Sequence, residues 1–194
     1  RAARRSCSTH LPAILVVPDL ERYLVTLLTP TNRREGARGM AETIVGSLVS
    51  LWRYPVKSMM GEELNAVDAT ERGLLGDRAY ALVDHETGKV ASAKFPRKWP
   101  TLFDHRATFV NVPRRGGDLP AVRISLPDGR MIVGGGDGGT ESVDRLLSDG
   151  LGREVTLAQV PPDAPSLEEY WPDMEGLAFR ETVTDESMPA STFL

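Results

Sequence analysis

The strongest constraint on the fold is a rhythm in the sequence. Between residues 43 and 160, short runs rich in Val, Ile, Leu and aromatic residues are cut by Pro, Gly and Asp at close spacing. Runs of about four to eight residues bounded by turn signals are strand-length and too short for most helices. The clearest pair is 122–126 and 130–133, joined by Pro127-Asp128-Gly129. That is a strong hairpin signal, because glycine accepts the positive φ that tight turns need. Further strands are expected at 43–54, which Pro55 ends, at 63–70, and at 78–83. After the turn Asp84-His85-Glu86-Thr87-Gly88, residues 89–93 should return as the partner strand. Residues 107–112 and 155–160 complete the set. One helix is expected over 140–148, with Thr140 as cap, Val143, Leu146 and Leu147 as its apolar stripe, and Gly150 and Gly152 as its stop. The predicted class is mostly β, β-barrel-like with one short helix, followed by an irregular acidic C-terminal tail.

A chain of 194 residues, 41% hydrophobic and 26% charged, can bury a core in one domain with extensions. Its formal net charge of -4 is unevenly spread. Residues 1–39 hold seven Arg against three acidic residues, leaving 16 basic and 24 acidic residues in the rest. A body that acidic argues against nucleic-acid partners, which need a basic face. Cys7 is the only cysteine, so from residue 40 onward there is no disulfide framework, thiolate zinc site or cysteine nucleophile. Three scattered histidines do not make a metal cluster. The apolar stretch 14–28 is interrupted by Pro18, Asp19, Glu21 and Arg22, and is too short and too charged to span a bilayer. The expected organisation is a leader at 1–39, disordered or not native, with a transit peptide as the alternative. A β domain at 40–160 follows, then a linker from 161 to 194 that opens with Pro161-Pro162-Asp163-Ala164-Pro165.

Three basic clusters carry the chemistry. In Tyr54-Pro55-Val56-Lys57-Ser58, Pro55 stiffens the chain where a lysine and a hydroxyl emerge, and together with backbone N–H groups these suit a phosphate. A strand end with a solvated lysine is the plainer alternative. In Gly73-Leu74-Leu75-Gly76-Asp77-Arg78, Arg78 starts a buried-looking strand and aims its fork from the strand end, which suits an oxyanion. Pairing with Asp77 would satisfy it equally well. In Lys94-Phe95-Pro96-Arg97-Lys98-Trp99-Pro100, two aromatic anchors hold a basic rim of Lys94 and Arg97, or simply an exposed connection. The glycine run 134–139 satisfies G-x-G-x-x-G and precedes a helix. It reads as a false dinucleotide fingerprint, since the strand before it leaves a hairpin and no third apolar strand follows. His85 and His105 read as turn or surface residues, and Asp84 and Glu86 sit poorly for paired-carboxylate catalysis.

Taken in order, Leu51-Trp52-Arg53-Tyr54-Pro55-Val56-Lys57-Ser58, the run from Gly73 to Arg78, and Val90-Ala91-Ser92-Ala93-Lys94 leading to Pro96-Arg97 resemble the N-terminal β-barrel domain of MOSC proteins. This is the molybdenum cofactor sulfurase C-terminal family, whose relatives include the mitochondrial amidoxime-reducing component. The resemblance covers residues 43–160 and continues more weakly beyond. It implies a cytoplasmic protein that binds molybdenum cofactor (molybdopterin) and acts as an oxidoreductase on N-hydroxylated compounds or as a sulfur carrier. Lys57, Ser58 and Arg78 would contact the cofactor's pterin and phosphate end, with Lys94 and Arg97 nearby. The family's metal-ligating cysteine belongs to a downstream MOSC core, expected to begin near Glu181. By the resemblance, residues 1–194 would thus supply part of a cofactor cradle and no metal ligand or catalytic residue, with the core and a redox partner as its partners. The two rival readings are a dinucleotide-binding oxidoreductase using the 134–139 loop and a non-catalytic β-barrel that binds a protein.

Overall fold

The computed structural model describes residues 14–16, 48–136, 141–172, 175–176 and 182–188. Among them strands dominate, with one α-helix and a single 3₁₀ turn at Leu102–Asp104. Strand β1 (Ile14–Val16) runs parallel to β4 (Ala66–Thr70), whose far end pairs antiparallel with β5 (Gly73–Leu74). Strand β2 (Trp52–Arg53) pairs with β3 (Glu62–Glu63). Strand β6 (Ala81–Asp84) lies antiparallel to β10 (Val155–Ala158). Strands β7 (Arg106–Phe109), β8 (Val122–Ser125) and β9 (Met131–Gly134) form an antiparallel meander. Strands β11 (Ser166–Trp171) and β12 (Thr182–Ser187) form a hairpin. Single bridges stitch these pieces together: Val56 to Tyr80, Met60 to Arg106, Val83 to Val90, and Val90 to Leu167. Among the described residues the sheets do not close into a barrel.

Period-two burial builds the core. Ala107 and Phe109 in β7, Val122 and Ile124 in β8, Ile132 in β9, and Val155 and Leu157 in β10 all face inward, while Arg106, Arg123 and Met131 face out. The helix α1 (Glu141–Leu151) adds Val143 and Leu147, one turn apart, to the same cluster. Its polar side chains also dock it. The Val155 N–H donates to Ser148 Oγ at 3.0 Å, and the Leu157 N–H donates to Asp144 Oδ1 at 2.8 Å, so the helix satisfies the open edge of β10. The expected cap, Thr140, lies outside the described residues. The helix also runs through Gly150, which packs under Leu126 and His105.

Several elements differ from expectation. Of the strand at 43–54, the described part is only Trp52–Arg53. Instead of starting at Arg78, the strand of the second cluster starts at Ala81, because Arg78 bends into the left-handed region at φ 47°. The return strand 89–93 contracts to a short antiparallel pairing at Val90, with the Asp84 N–H on the Lys89 carbonyl and the Ala91 N–H on the Leu82 carbonyl, and β10 lines the other edge of β6. Within the acidic tail lie β11 and β12, held by Leu167 and Met188, which pack on Ala81 and Val90. His105, expected at the surface, is fully buried, and its Nδ1 meets the Thr101 carbonyl at 2.8 Å. The expected leader falls mostly outside the described residues, apart from β1.

Candidate anion-binding site

Two stretches far apart in sequence are zipped together by three main-chain bonds and one from the main chain to a carboxylate. The Tyr54 N–H donates to Asp77 Oδ1 at 2.8 Å, and the Arg78 N–H donates to the Tyr54 carbonyl at 2.7 Å. The Tyr80 N–H then reaches the Pro55 carbonyl at 3.0 Å, and the Lys57 N–H reaches the Tyr80 carbonyl at 2.8 Å. Pro55 has no N–H to offer, so the pairing uses only its carbonyl. The third cluster joins through Ser58, whose Oγ accepts the Ala93 N–H at 3.1 Å. Three clusters separate in the sequence thus meet at one place.

They surround a cavity of about 770 Å³, whose lining includes Lys57, Ser58, Arg78, Lys94, Glu186 and Phe103. Among the described residues, the non-glycine positions with positive φ are Ser58 at 64°, Arg78 at 47° and Ala164 at 50°. Two of those three line this cavity. A left-handed bend costs an L-residue roughly 1–2 kcal/mol, so the surrounding bonds must hold it in place. At Ser58 the bend brings the hydroxyl to Ala93, and at Arg78 it turns the side chain outward, where it is exposed and only loosely paired to Asp77 at 3.7 Å.

The charges are unevenly satisfied. Lys94 is clamped by Glu169 of β11 and Glu186 of β12, and these bonds raise its pKa above the ordinary lysine value. Glu186 is held below the usual carboxylate range by Lys94. Lys57 is different. Its Nζ has no carboxylate partner among the described residues, and its pKa is pushed down by burial and then by the nearby charges of Arg78 and Lys94, against a smaller pull from Glu186. An anion entering the cavity would relieve that repulsion.

Arg97 is not part of this group. It stacks over Tyr170 at 4.6 Å and lines a second cavity of about 630 Å³ with Phe95, Lys98, Arg153 and Glu168. Arg53 belongs to the first cluster in sequence only. It is buried, bonded to Glu62 at 2.7 and 2.9 Å, and sits 4.8 Å from the centre of the Phe109 ring. Sequence reasoning missed Glu169 and Glu186, because the tail gave no periodicity to place them. The strand-forming residues Thr182-Val183-Thr184 were the available signal.

The glycine run is explained by packing. A Cβ on Gly134 would meet Val143 of the helix at 2.7 Å, and one on Gly135 would meet the Tyr80 ring at 2.5 Å. The Gly136 N–H donates to the Tyr80 hydroxyl at 2.9 Å, and that hydroxyl donates to the Pro120 carbonyl. Strand β9 pairs antiparallel with β8, whereas a dinucleotide fingerprint needs a parallel βαβ unit. Residues 137–140 lie outside the described set.

Among the described residues, no group of three or more His, Cys, Asp or Glu side chains is placed to hold a metal ion. No helix among them is long and apolar enough to cross a membrane. Residues 45–132 match a known domain family, the MOSC N-terminal beta barrel domain. No curated protein and no solved structure matches the chain.

Proposed function

Because residues 45–132 match the MOSC N-terminal beta barrel domain family, we propose that the cavity lined by this segment anchors the phosphate end of a molybdenum-pterin cofactor. Arg78 supplies a guanidinium fork suited to phosphate oxygens, Lys57 a point charge, and Ser58 a hydroxyl whose proton is left free by the Ala93 contact. The observation that carries the reading is the pairing of two strained bends, Ser58 and Arg78, with a lysine that has no carboxylate in ion-pair contact among the described residues. Strain held at one cavity, with charge left unsatisfied there, fits a ligand that completes the charge balance.

The donor set fits an anionic organic group and offers nothing to the metal itself. When bound, such a cofactor would supply the redox or sulfur-carrying chemistry at its molybdenum. These residues would hold and orient it. Lys94 stands at the rim, already shared between Glu169 and Glu186, so its contribution is to keep the β11–β12 hairpin against the cavity.

Calorimetric titration of the chain with inorganic phosphate tests the anion site. Arg78→Ala should weaken binding about tenfold or more, the loss of a charge-assisted contact worth roughly 1.5–3 kcal/mol. Unchanged affinity would remove Arg78 from the site.

A further inference from the structure

We propose that Lys57 is a reactive amine, and that the cavity captures small phosphate-bearing aldehydes as an imine on its Nζ. The chain has four lysines. Three are held by carboxylates: Lys89 by Asp185 at 2.6 Å, Lys94 by Glu169 and Glu186, and Lys98 by Asp84 and Glu168, both at 2.9 Å. Those ion pairs keep the three amines protonated and therefore without a lone pair to attack. Lys57 alone has no such partner among the described residues, and it lines a cavity large enough for a small ligand.

The electrostatics point the same way. The pKa of each paired lysine is raised, whereas that of Lys57 is lowered by burial, Arg78 and Lys94. A desolvated amine beside other cations is a setting in which lysine becomes a nucleophile. Those same cations attract the ligand's phosphate, with Arg78 as its holder. That clause rests on the anion-site reading, and the amine's reactivity does not.

In the reaction, the Lys57 nitrogen attacks the carbonyl carbon and its extra proton passes to the oxygen. The carbinolamine then loses that oxygen as water, whose second proton comes from the remaining N–H as the C=N bond forms. Ser58 Oγ accepts the Ala93 N–H, which leaves its own O–H to donate to the carbinolamine oxygen. No electrons change hands, so no oxidant or reductant is needed.

The full chain would be incubated with pyridoxal 5′-phosphate or with pyridoxal, reduced with borohydride and digested, and the adduct at each lysine measured by mass spectrometry. Lys57 should be labelled about tenfold faster than Lys89, Lys94 or Lys98, in keeping with an activated amine among paired ones. The phosphorylated aldehyde should react faster than pyridoxal, and inorganic phosphate should slow it. Lys57→Arg, which keeps the charge, should lose this adduct and leave the thermal midpoint in place. Equal labelling of all four lysines, or an unlabelled Lys57, would overturn the proposal. Should pyridoxal react with Lys57 as fast as its phosphate, the phosphate-bearing class fails, and the anion site with it. If phosphate binds and Lys57 stays unlabelled, only the reactive amine fails.

Discussion

Arg53 and Arg78 carry the same charge and have opposite fates. Arg53 is 4% exposed, and its guanidinium is spent on Glu62, the Leu75 carbonyl and the face of Phe109. Removing it would leave Glu62 without its partner and open a gap under the ring. Arg53→Ala should therefore lower stability by about 3 kcal/mol, as breaking a buried pair does, read from the midpoint of urea unfolding. Arg78 is exposed and loosely paired, so Arg78→Ala should leave that midpoint within about 0.5 kcal/mol. The two substitutions separate a structural cation from a binding one. Lys57 adds a pH signature. In the proposed site its protonated form is the one that would hold an anion, and its pKa lies below the ordinary 10.5, so sulfate affinity should fall as pH rises through that lowered value. Lys57→Arg should abolish the fall. The fork of Arg78 beside a turn was readable in the sequence, but the left-handed bends at Ser58 and Arg78 were not. Neither residue is a Gly or Asn, the types that announce such a conformation.

At the scale of elements, the hairpin signals were the most readable. Pro127-Asp128-Gly129 turns β8 into β9, with Gly129 at φ 87° and Asp128 Oδ1 accepting the Arg130 N–H at 2.9 Å. That turn is specified by its own residues. The second partner of β6 is not, because β10 reaches the far edge of β6 through long-range packing that no local pattern encodes. The tail was harder still. All six residues of β12 are exposed, so its place depends on Leu167 and Met188 and on ion pairs to Lys89 and Lys94. A further tie runs through Asp84, the last residue of β6, which bonds Lys98, itself bonded to Glu168 of β11. Burial pushes the Asp84 carboxyl up, but Lys98, the Thr87 hydroxyl and the Glu86 N–H together hold it below its ordinary 3.8. A lowered carboxylate contributes stability that is present above its unfolded-state pKa and is lost as pH falls through the folded one. Thermal midpoints should therefore drop on acidification through that range, and Asp84→Asn should flatten the drop. Leu167→Ala should cost about 3 kcal/mol, a usual value for emptying a buried leucine site. It should also raise hydrogen exchange in 182–187 more than in β7 to β9.

Across the whole molecule, the mostly β class with one helix followed from the spacing of short apolar runs. The order of the sheets followed from contacts between residues far apart in sequence. The same is true of the site. Main-chain groups of Tyr54, Arg78 and Ala93, with the side-chain oxygens of Asp77 and Ser58, bring three separate basic clusters to one cavity, and only the basic side chains were legible beforehand. The central claim is that this cavity anchors a molybdenum-pterin cofactor by its phosphate. The most direct measurement is molybdopterin per chain after purification from cells that make the cofactor, for the wild type and for Arg78→Ala. The account expects cofactor on the wild type and about tenfold less on a variant that has lost one charge-assisted phosphate contact yet unfolds normally. Equal loading of the two, or none on a folded wild type, would contradict it.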